Sequence, residues 1–209
     1  MTGKPLRDSF ILFTSDIFPE SYRNGSTPRK SNESFWTGGS IPWVASGKVN
    51  DDVIFEPTAY ITEDALKKCP LKLLPVETII VAMIGEGQTR GRTSILGISA
   101  AINQNLAFII SNSSKLNPVF LLQLLRFQYE GLRSLGRGSN QAALNCGLIK
   151  NYKIPLPSID EQRIIARCFG HVDGLSIALR HSIGNCNRLK RALMRDLLTG
   201  RVRVKDVKL

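Results

Sequence analysis

The last quarter of the chain most constrains the fold, because it carries a helix-start signal and a helix-stop signal roughly 40 residues apart. Pro155 and Pro157 favour an extended approach, since proline and the residue before it both disfavour helix. Ser158 stands three residues before Glu161, an arrangement that satisfies free backbone N–H groups at a helix start. Gly200 can adopt the left-handed conformation that ends a helix. At ~1.5 Å per residue the predicted helix is on the order of 60 Å long, longer than one small domain needs to cover its core.

Apolar residues recur every seven positions along this predicted helix, in two interleaved series. Alternating steps of three and four residues are typical of a coiled-coil seam. Ser182 and the glycines at 170, 174 and 184 interrupt the pattern, and each glycine weakens a helix by up to ~1 kcal/mol relative to alanine. We therefore expect the helix to pair with a partner; the alternative is that the stripe packs on the chain's own domain. The residues predicted to form the dimerisation seam are Ile165, Val172, Leu175, Leu179, Leu189 and Leu193.

The charge of the chain favours a polyanionic partner. Its 209 residues include 28 Lys and Arg against 17 Asp and Glu, a formal net charge of +11, and basic side chains neutralise phosphates with release of counterions. A merely soluble basic protein is the alternative. The four cysteines form no CxxC pair and there are two histidines, so we predict reduced thiols, no metal site and no cofactor. No segment approaches the ~18 apolar residues that span a membrane, and we predict a cytoplasmic protein without membrane contact.

The remainder of the chain predicts an α+β domain. Short apolar runs separated by Gly, Pro and Asn indicate strands, and the run Thr78–Ile84 is apolar enough to be covered on both faces. Asn117 and Pro118 are typical of a helix start. We predict a mixed-sheet domain over residues 1–157, one long helix over 158–200 and a tail over 201–209. The other predicted elements are strands at Ile41–Ala45, Val53–Phe55 and Ala107–Ile110, and a shorter helix at Ala143–Leu148.

Two motif groups flank the predicted long helix. Ile154-Pro155-Leu156-Pro157, Glu161-Gln162 and Ile165-Ala166 open it, and Leu189-Lys190-Arg191-Ala192-Leu193-Met194 with Leu197-Leu198-Thr199-Gly200 close it. In this order and spacing they resemble the motifs of specificity subunits of type I restriction-modification systems. The resemblance extends from about Asn24 to Val204. Supporting matches are Trp36-Thr37-Gly38-Gly39, Ile41-Pro42-Trp43-Val44, Met83-Ile84-Gly85, Ile102-Asn103-Gln104 and Gly138-Ser139.

The resemblance implies a DNA-binding role without catalysis. Full-length members carry two target-recognition domains, each followed by a long helix, whereas this sequence has one of each. The family implies sequence-specific binding of double-stranded DNA, with methyltransferase (M) and restriction (R) subunits as partners. We expect a homodimer through antiparallel helices, which reads an inverted, interrupted target. A truncated remnant is the alternative to that homodimer.

Catalytic residues are not apparent in the sequence, so we predict that the chain is not an enzyme. The only Asp-x-Lys is Asp206-Val207-Lys208 at the C-terminal end, whereas a metal-dependent nuclease needs clustered carboxylates. Asn117-Pro118-Val119-Phe120 superficially resembles the loop of an adenine methyltransferase but lacks its second proline. A stand-alone methyltransferase or nuclease and a non-DNA assembly scaffold remain the alternative functions.

Three polar loops are the candidates for DNA contact. In the first, Gly85, Gly87 and Gly91 let the backbone turn tightly, and an arginine can pair with guanine edges or phosphates, as a glutamine can with adenine. The alternative for each loop is a solvated structural turn. The predicted DNA-contacting residues are Gln88, Thr89, Arg90 and Arg92 in the first loop, Arg137, Ser139, Asn140 and Gln141 in the second, Arg29 and Lys30 for phosphates in the third, and, as a weaker candidate, Lys48.

Overall fold

The computed structural model describes residues 10–11, 20–85, 87–136 and 143–203. The strands are β1 (Phe10–Ile11), β2 (Glu20–Asn24), β3 (Ile41–Val44), β4 (Val53–Ile54), β5 (Ala59–Ile61), β6 (Ile79–Ala82), β7 (Thr93–Leu96), β8 (Ala101–Ile102), β9 (Leu106–Ile110) and β10 (Ile154–Pro155). The helices are α1 (Glu63–Lys68), α2 (Pro118–Phe127), α3 (Tyr129–Ser134), α4 (Cys146–Lys150) and α5 (Ile159–Leu198). The chain divides into two compact units, Met1–Ala166 and Arg167–Leu209. The predicted α+β class with a long C-terminal helix is confirmed.

A five-stranded mixed sheet with the order β2-β9-β6-β7-β4 forms the centre of the first unit. Its middle strand, β6, is antiparallel to both neighbours, whereas β4 runs parallel to β7. Side chains alternate between the faces of a strand, so Ile79 and Val81 enter one core cluster and Ile80 and Ala82 enter another. All four are fully buried. The prediction that the run Thr78–Ile84 is covered on both faces is confirmed for Ile79–Ala82, whereas Ile84 lies beyond the strand and is exposed.

Helices α2 and α3 cover one face of the central sheet. Asn117 caps α2, because its side-chain Oδ1 accepts a hydrogen bond from the backbone N–H of Phe120 at 3.0 Å, and Pro118 occupies the first turn. This geometry confirms the predicted helix start. The helix that begins there ends at Phe127, since Gln128 leaves helical geometry with ψ at 17°, and α3 follows it as a separate helix. The predicted short helix begins later than expected, at Cys146.

A smaller sheet has the order β5-β3-β8, and both tryptophans belong to the core beside it. Trp43 on β3 is buried, and its indole N–H donates to the backbone carbonyl of Ser26 at 3.0 Å. Trp36 meets it edge to face with 5.4 Å between ring centroids. The backbone of Gly25 lies against the carbonyl of Ile102, to which Ser26 N–H also donates at 3.0 Å. These contacts anchor the loop that follows β2 to the sheet.

The start of α5 is part of the first unit. Ser158 Oγ accepts from the backbone N–H of Glu161 at 3.3 Å, which confirms the predicted cap. Gln162 is fully buried, and its amide bonds the backbone of the segment that precedes α2. Ile165 and Ala166 pack against the core cluster under α2. The assignment of Ile165 to a dimerisation seam is therefore corrected, because the domain core uses its side chain.

The second unit consists largely of the rest of α5. Gly200 has a φ of 69° just beyond the helix, which confirms the predicted stop signal. The remaining seam residues are all exposed: Val172 by 61%, Leu175 by 67%, Leu179 by 64%, Leu189 by 61% and Leu193 by 49%. Among the helices that the structure describes, none is long and apolar enough to traverse a membrane.

Candidate nucleic-acid interface

The loop between β6 and β7 is the best-defined of the predicted contact loops. The two strands pair antiparallel, so the loop reverses the chain, and it closes with a hydrogen bond from Gly91 N–H to the carbonyl of Ala82 at 2.9 Å. Gly85 has a φ of 144° and Gly91 a φ of 83°, conformations that residues with a Cβ rarely adopt. A Cβ on Gly85 would also lie 2.9 Å from Thr89 Cβ. The tight turn predicted from these glycines is therefore present.

Arg90 does not belong to the contact surface. Its side chain is 5% exposed, although it lies between Thr89 and Gly91 in the same turn. A base edge or a phosphate cannot approach a guanidinium that the protein itself covers. We correct the prediction for Arg90 accordingly: the residue is part of the folded domain.

Arg92 cross-links the loop to a second segment. Its Nε donates to the backbone carbonyl of Gln88 and one terminal nitrogen donates to Gln88 Oε1, both at 3.0 Å. Its other terminal nitrogen donates to Asn50 Oδ1 at 3.0 Å. Asn50 closes the 3-10 helix Ser46–Asn50, where its Nδ2 donates to the carbonyl of Gly47 at 3.1 Å. One guanidinium therefore fixes the position of the loop, of the Gln88 side chain and of Asn50.

The helices α2 and α3 supply the other wall of this surface. Tyr129 Oη donates to the carbonyl of Gln88 at 2.8 Å and accepts from an Arg133 terminal nitrogen at 2.9 Å. Arg126 donates to the carbonyl of Asp52 at 3.0 Å and pairs with its carboxylate at 3.1 Å. Tyr129, Arg126 and Asp52 help to line a depression of about 280 Å³. Its lining residues are Val49, Asn50, Asp52, Gly91, Arg92, Thr93, Arg126 and Tyr129.

The electrostatics of the depression suit a polyanion with polar edges. Arg92 and Arg126 supply two positive charges and Asp52 one negative charge. The Arg126–Asp52 pair is partly exposed, so it contributes only ~0–1 kcal/mol to stability. Arg126 can therefore leave Asp52 and bind a phosphate oxygen at a small cost in stability. We call this depression, with Gln88 at its edge, the Arg92 surface.

The other predicted residues differ in how well they are placed. Arg29 and Lys30 are exposed in a turn, and Trp36 donates to the carbonyl of Arg29 at 3.2 Å. Lys48 is paired with Asp51 at 3.2 Å and lies 3.9 Å from Glu56, so nearby carboxylates compensate its charge. Thr89 is partly buried in the turn. The predicted contacts Arg137, Ser139, Asn140 and Gln141 lie outside the described residues.

Sequence reasoning did not single out Asn50, Arg126 and Tyr129 of the Arg92 surface, nor Arg133, which donates to Tyr129. Three of them carried a usable signal, because Arg126, Tyr129 and Arg133 are spaced by three and then four residues. In a continuous helix that spacing sets polar groups on one face; in the structure Arg126 belongs to α2, and Tyr129 and Arg133 belong to α3. No local sequence signal pointed to Asn50, since its contact with Arg92 joins residues 42 positions apart.

Two ionisable groups with a shifted pKa lie elsewhere in the first unit. Burial raises the pKa of the Cys146 thiol and of the Tyr152 hydroxyl above their ordinary values. Across the described ranges, no group of three or more His, Cys, Asp and Glu side chains is arranged to hold a metal ion.

Comparison with known proteins defines the class. The family model described as the type I restriction modification DNA specificity domain matches residues 12–186. The chain belongs to this family, which confirms the resemblance seen in the sequence.

Curated relatives from two organisms share the similarity. The chain is 29% identical over 161 residues to the type I restriction enzyme MjaVIII specificity subunit of Methanocaldococcus jannaschii, which covers 74% of the chain and 38% of the relative. It is 25% identical over 161 residues to the type I restriction enzyme EcoR124I/EcoR124II specificity subunit of Escherichia coli, and the match covers 76% of the chain and 40% of the relative. The chain thus spans well under half the length of these relatives.

Solved structures share the fold. The HsdS subunit from Thermoanaerobacter tengcongensis superimposes with a TM-score of 0.61 at 18% identity, over 93% of this chain and 46% of that one. The S subunit of a type I restriction-modification system from M. genitalium superimposes with a TM-score of 0.61 at 13% identity, over 89% of this chain and 44% of that one. At such identities the likeness concerns the fold alone.

Proposed function

We propose that the chain recognises a double-stranded DNA sequence as the specificity subunit of a type I restriction-modification complex. Methyl transfer and cleavage then belong to partner M and R subunits, and the chain supplies recognition. The observation that carries this proposal is the family match over residues 12–186, which spans most of the first unit and much of α5. The Arg92 surface supports it, because it combines arginines with amide groups that can bond base edges.

We further propose that two copies pair through α5 in antiparallel fashion. Exposed apolar side chains at the heptad positions of α5 support this pairing, since burial of a large aliphatic side chain contributes roughly 1.5–3 kcal/mol. A two-fold axis makes the two recognition units equivalent. The homodimer then prefers an inverted target with an interruption between half-sites.

Selection from a random pool of duplexes tests the DNA proposal. The full chain is incubated with the pool at low and at physiological salt, and bound sequences are read out. We expect an enriched inverted, interrupted motif. Enrichment of two unlike half-sites would contradict the symmetric dimer. A complete lack of binding, even at low salt, would instead favour the scaffold function.

Charge placed in the seam tests the pairing. Leu179→Glu and Leu193→Glu together should give a monomer by analytical ultracentrifugation, because two carboxylates per helix would be buried in the seam. Both leucines are exposed in the single chain, so the monomer itself should stay folded. Asn187→Glu, exposed on the same helix at a position outside both heptad series, is the matched control and should leave the dimer intact. A doubly substituted chain that still sediments as a dimer would show that the contact lies elsewhere.

A further inference from the structure

The Gln88 side chain is held in one orientation by its neighbours. Arginine nitrogens only donate hydrogen bonds, so the Gln88 atom that faces Arg92 at 3.0 Å is the amide oxygen. Arg92 Nε and Tyr129 Oη both donate to the backbone carbonyl of the same residue, at 3.0 and 2.8 Å. Two of these bonds therefore fix the backbone of Gln88, and the third fixes its exposed side chain.

Arg92 is in turn fixed from the opposite side. Asn50 Oδ1 accepts from it at 3.0 Å, and the Asn50 amide is itself held by the carbonyl of Gly47 at 3.1 Å. The chain of bonds runs from the 3-10 helix through Asn50 and Arg92 to Gln88. Such a chain reduces the side-chain entropy that Gln88 would lose when it binds a ligand.

We propose that Arg92 is a positioning residue of the recognition loop, and that it holds Gln88 so that the amide N–H donors face the DNA. This inference rests on the proposed function. Because a charge-assisted bond occupies the amide oxygen, Gln88 reads a base as a donor. The base edges that fit are acceptors, namely guanine O6 and N7, thymine O4 or adenine N7. The two-pronged contact with adenine that the sequence suggested needs the amide oxygen as an acceptor for the base amino group, so that two-pronged contact is disfavoured.

The test compares base preferences of full-length variants by selection from random duplexes, followed by binding titrations on the selected site. Gln88→Ala removes the side chain proposed to contact the base. Arg92→Lys keeps the positive charge, but its single amino group cannot bond both Gln88 and Asn50 as the two terminal nitrogens of arginine do. Both should flatten preference at the same base pair and weaken binding to the wild-type site about 10-fold. The double variant should be no weaker than either single one, because the two residues act as a unit. Lys67→Ala, an exposed lysine on α1, should leave the profile unchanged.

Salt dependence separates positioning from direct phosphate contact. Arg92→Ala should give the same slope of log Kd against log salt as wild type if Arg92 only positions Gln88. A slope reduced by about 0.9 would identify Arg92 as a phosphate contact and overturn the inference.

Two further outcomes would overturn it without affecting the proposed function. They are a preference that survives Arg92→Lys but not Gln88→Ala, and wild-type binding that weakens when a base analogue removes the amino group of the adenine or cytosine at the recognised pair. Wild-type chain that selects no sequence would instead contradict the proposed function itself. Thermal melts of each variant establish that the domain is folded in every comparison.

Discussion

Replacement of Gln162 by leucine should destabilise the first unit although it preserves side-chain volume. The amide is fully buried. Its Oε1 accepts from Asn117 N–H at 2.9 Å, and its Nε2 donates to the carbonyls of Lys115 at 3.1 Å and Pro157 at 2.9 Å. These three bonds tie the first turn of α5 to the segment that leads into α2.

The expected cost follows from the groups left behind. Lys115 is exposed, so its carbonyl can bond water and adds little. The Asn117 N–H and the Pro157 carbonyl lose their partner, at ~1–3 kcal/mol for each unsatisfied group. We expect Gln162→Leu to lower the free energy of unfolding by ~2–6 kcal/mol, the sum for the two groups.

Urea unfolding followed by tryptophan fluorescence measures this loss, because Trp36 and Trp43 both belong to the first unit. Glu161→Leu is the matched control: it introduces the same side chain one residue earlier, at an exposed position, and the Ser158 cap uses only its backbone N–H. The reasoning is refuted if Gln162→Leu and Glu161→Leu differ by less than ~0.5 kcal/mol, the usual size of a surface effect.

Gln162→Glu adds a pH dependence with a definite sign. A carboxylate there would face the carbonyls of Lys115 and Pro157, and burial with two acceptors raises the pKa of the folded state above the unfolded value of about 4.3. The variant is therefore most stable relative to wild type below about pH 4.3, and loses stability as pH rises through its folded-state pKa. A deficit that stays constant between about pH 4 and 7 would contradict the burial of this side chain.

Two further predictions concern glycine and cysteine. Gly25→Ala should lower the free energy of unfolding in urea by ~1–3 kcal/mol, because the new Cβ would lie 1.8 Å from the carbonyl oxygen of Ile102. Gly170→Ala, in open space on α5, should instead raise it by up to ~1 kcal/mol. Equal effects of the two substitutions would contradict the close approach at Gly25. In the chain with Leu179→Glu and Leu193→Glu, whose helix is unpaired, a thiol reagent at about pH 8 should label Cys186 well before Cys146, because Cys186 is exposed while burial covers Cys146 and raises its pKa, which lowers its thiolate fraction; equal rates would indicate that Cys146 is accessible.

Much of the secondary structure was predictable where the signal is local. The cap at Ser158, the stop at Gly200 and the buried strand β6 all follow from residues within a few positions of one another. The strands β1, β2, β5, β7, β8 and β10 were missed, and all but β2 have four residues or fewer. Short length is not the whole reason, since β4 and β6 are as short and were predicted from their apolar residues. In β7, Thr93 and Ser94 are polar yet buried, so no periodicity could identify the strand. Ser94 is accommodated because its hydroxyl donates to the carbonyl of Asp51 at 2.6 Å.

The candidate site was predictable as a loop but not as a set of side chains. The glycines at 85 and 91 marked a tight turn, and the structure has positive φ at both. Arg90 and Arg92 are equivalent in the sequence, two basic residues in one glycine-rich turn. Only the fold separates them: the protein body covers Arg90, whereas Arg92 bonds Asn50 and Gln88 at the rim.

The amino-acid sequence by itself determined the α+β class, the long helix with its two ends, and the family. Caps, proline constraints and apolar periodicity act over one or two turns, and they can be seen without knowing any distant contact. Tertiary structure alone decided that Ile165 serves the domain core, that Arg90 is internal and that Arg92 holds Gln88. The reason is that burial and hydrogen bonding depend on distant segments: Asn50 is 42 residues from Arg92, and Tyr129 is 41 residues from Gln88. No local sequence pattern encodes which distant segment packs against the loop.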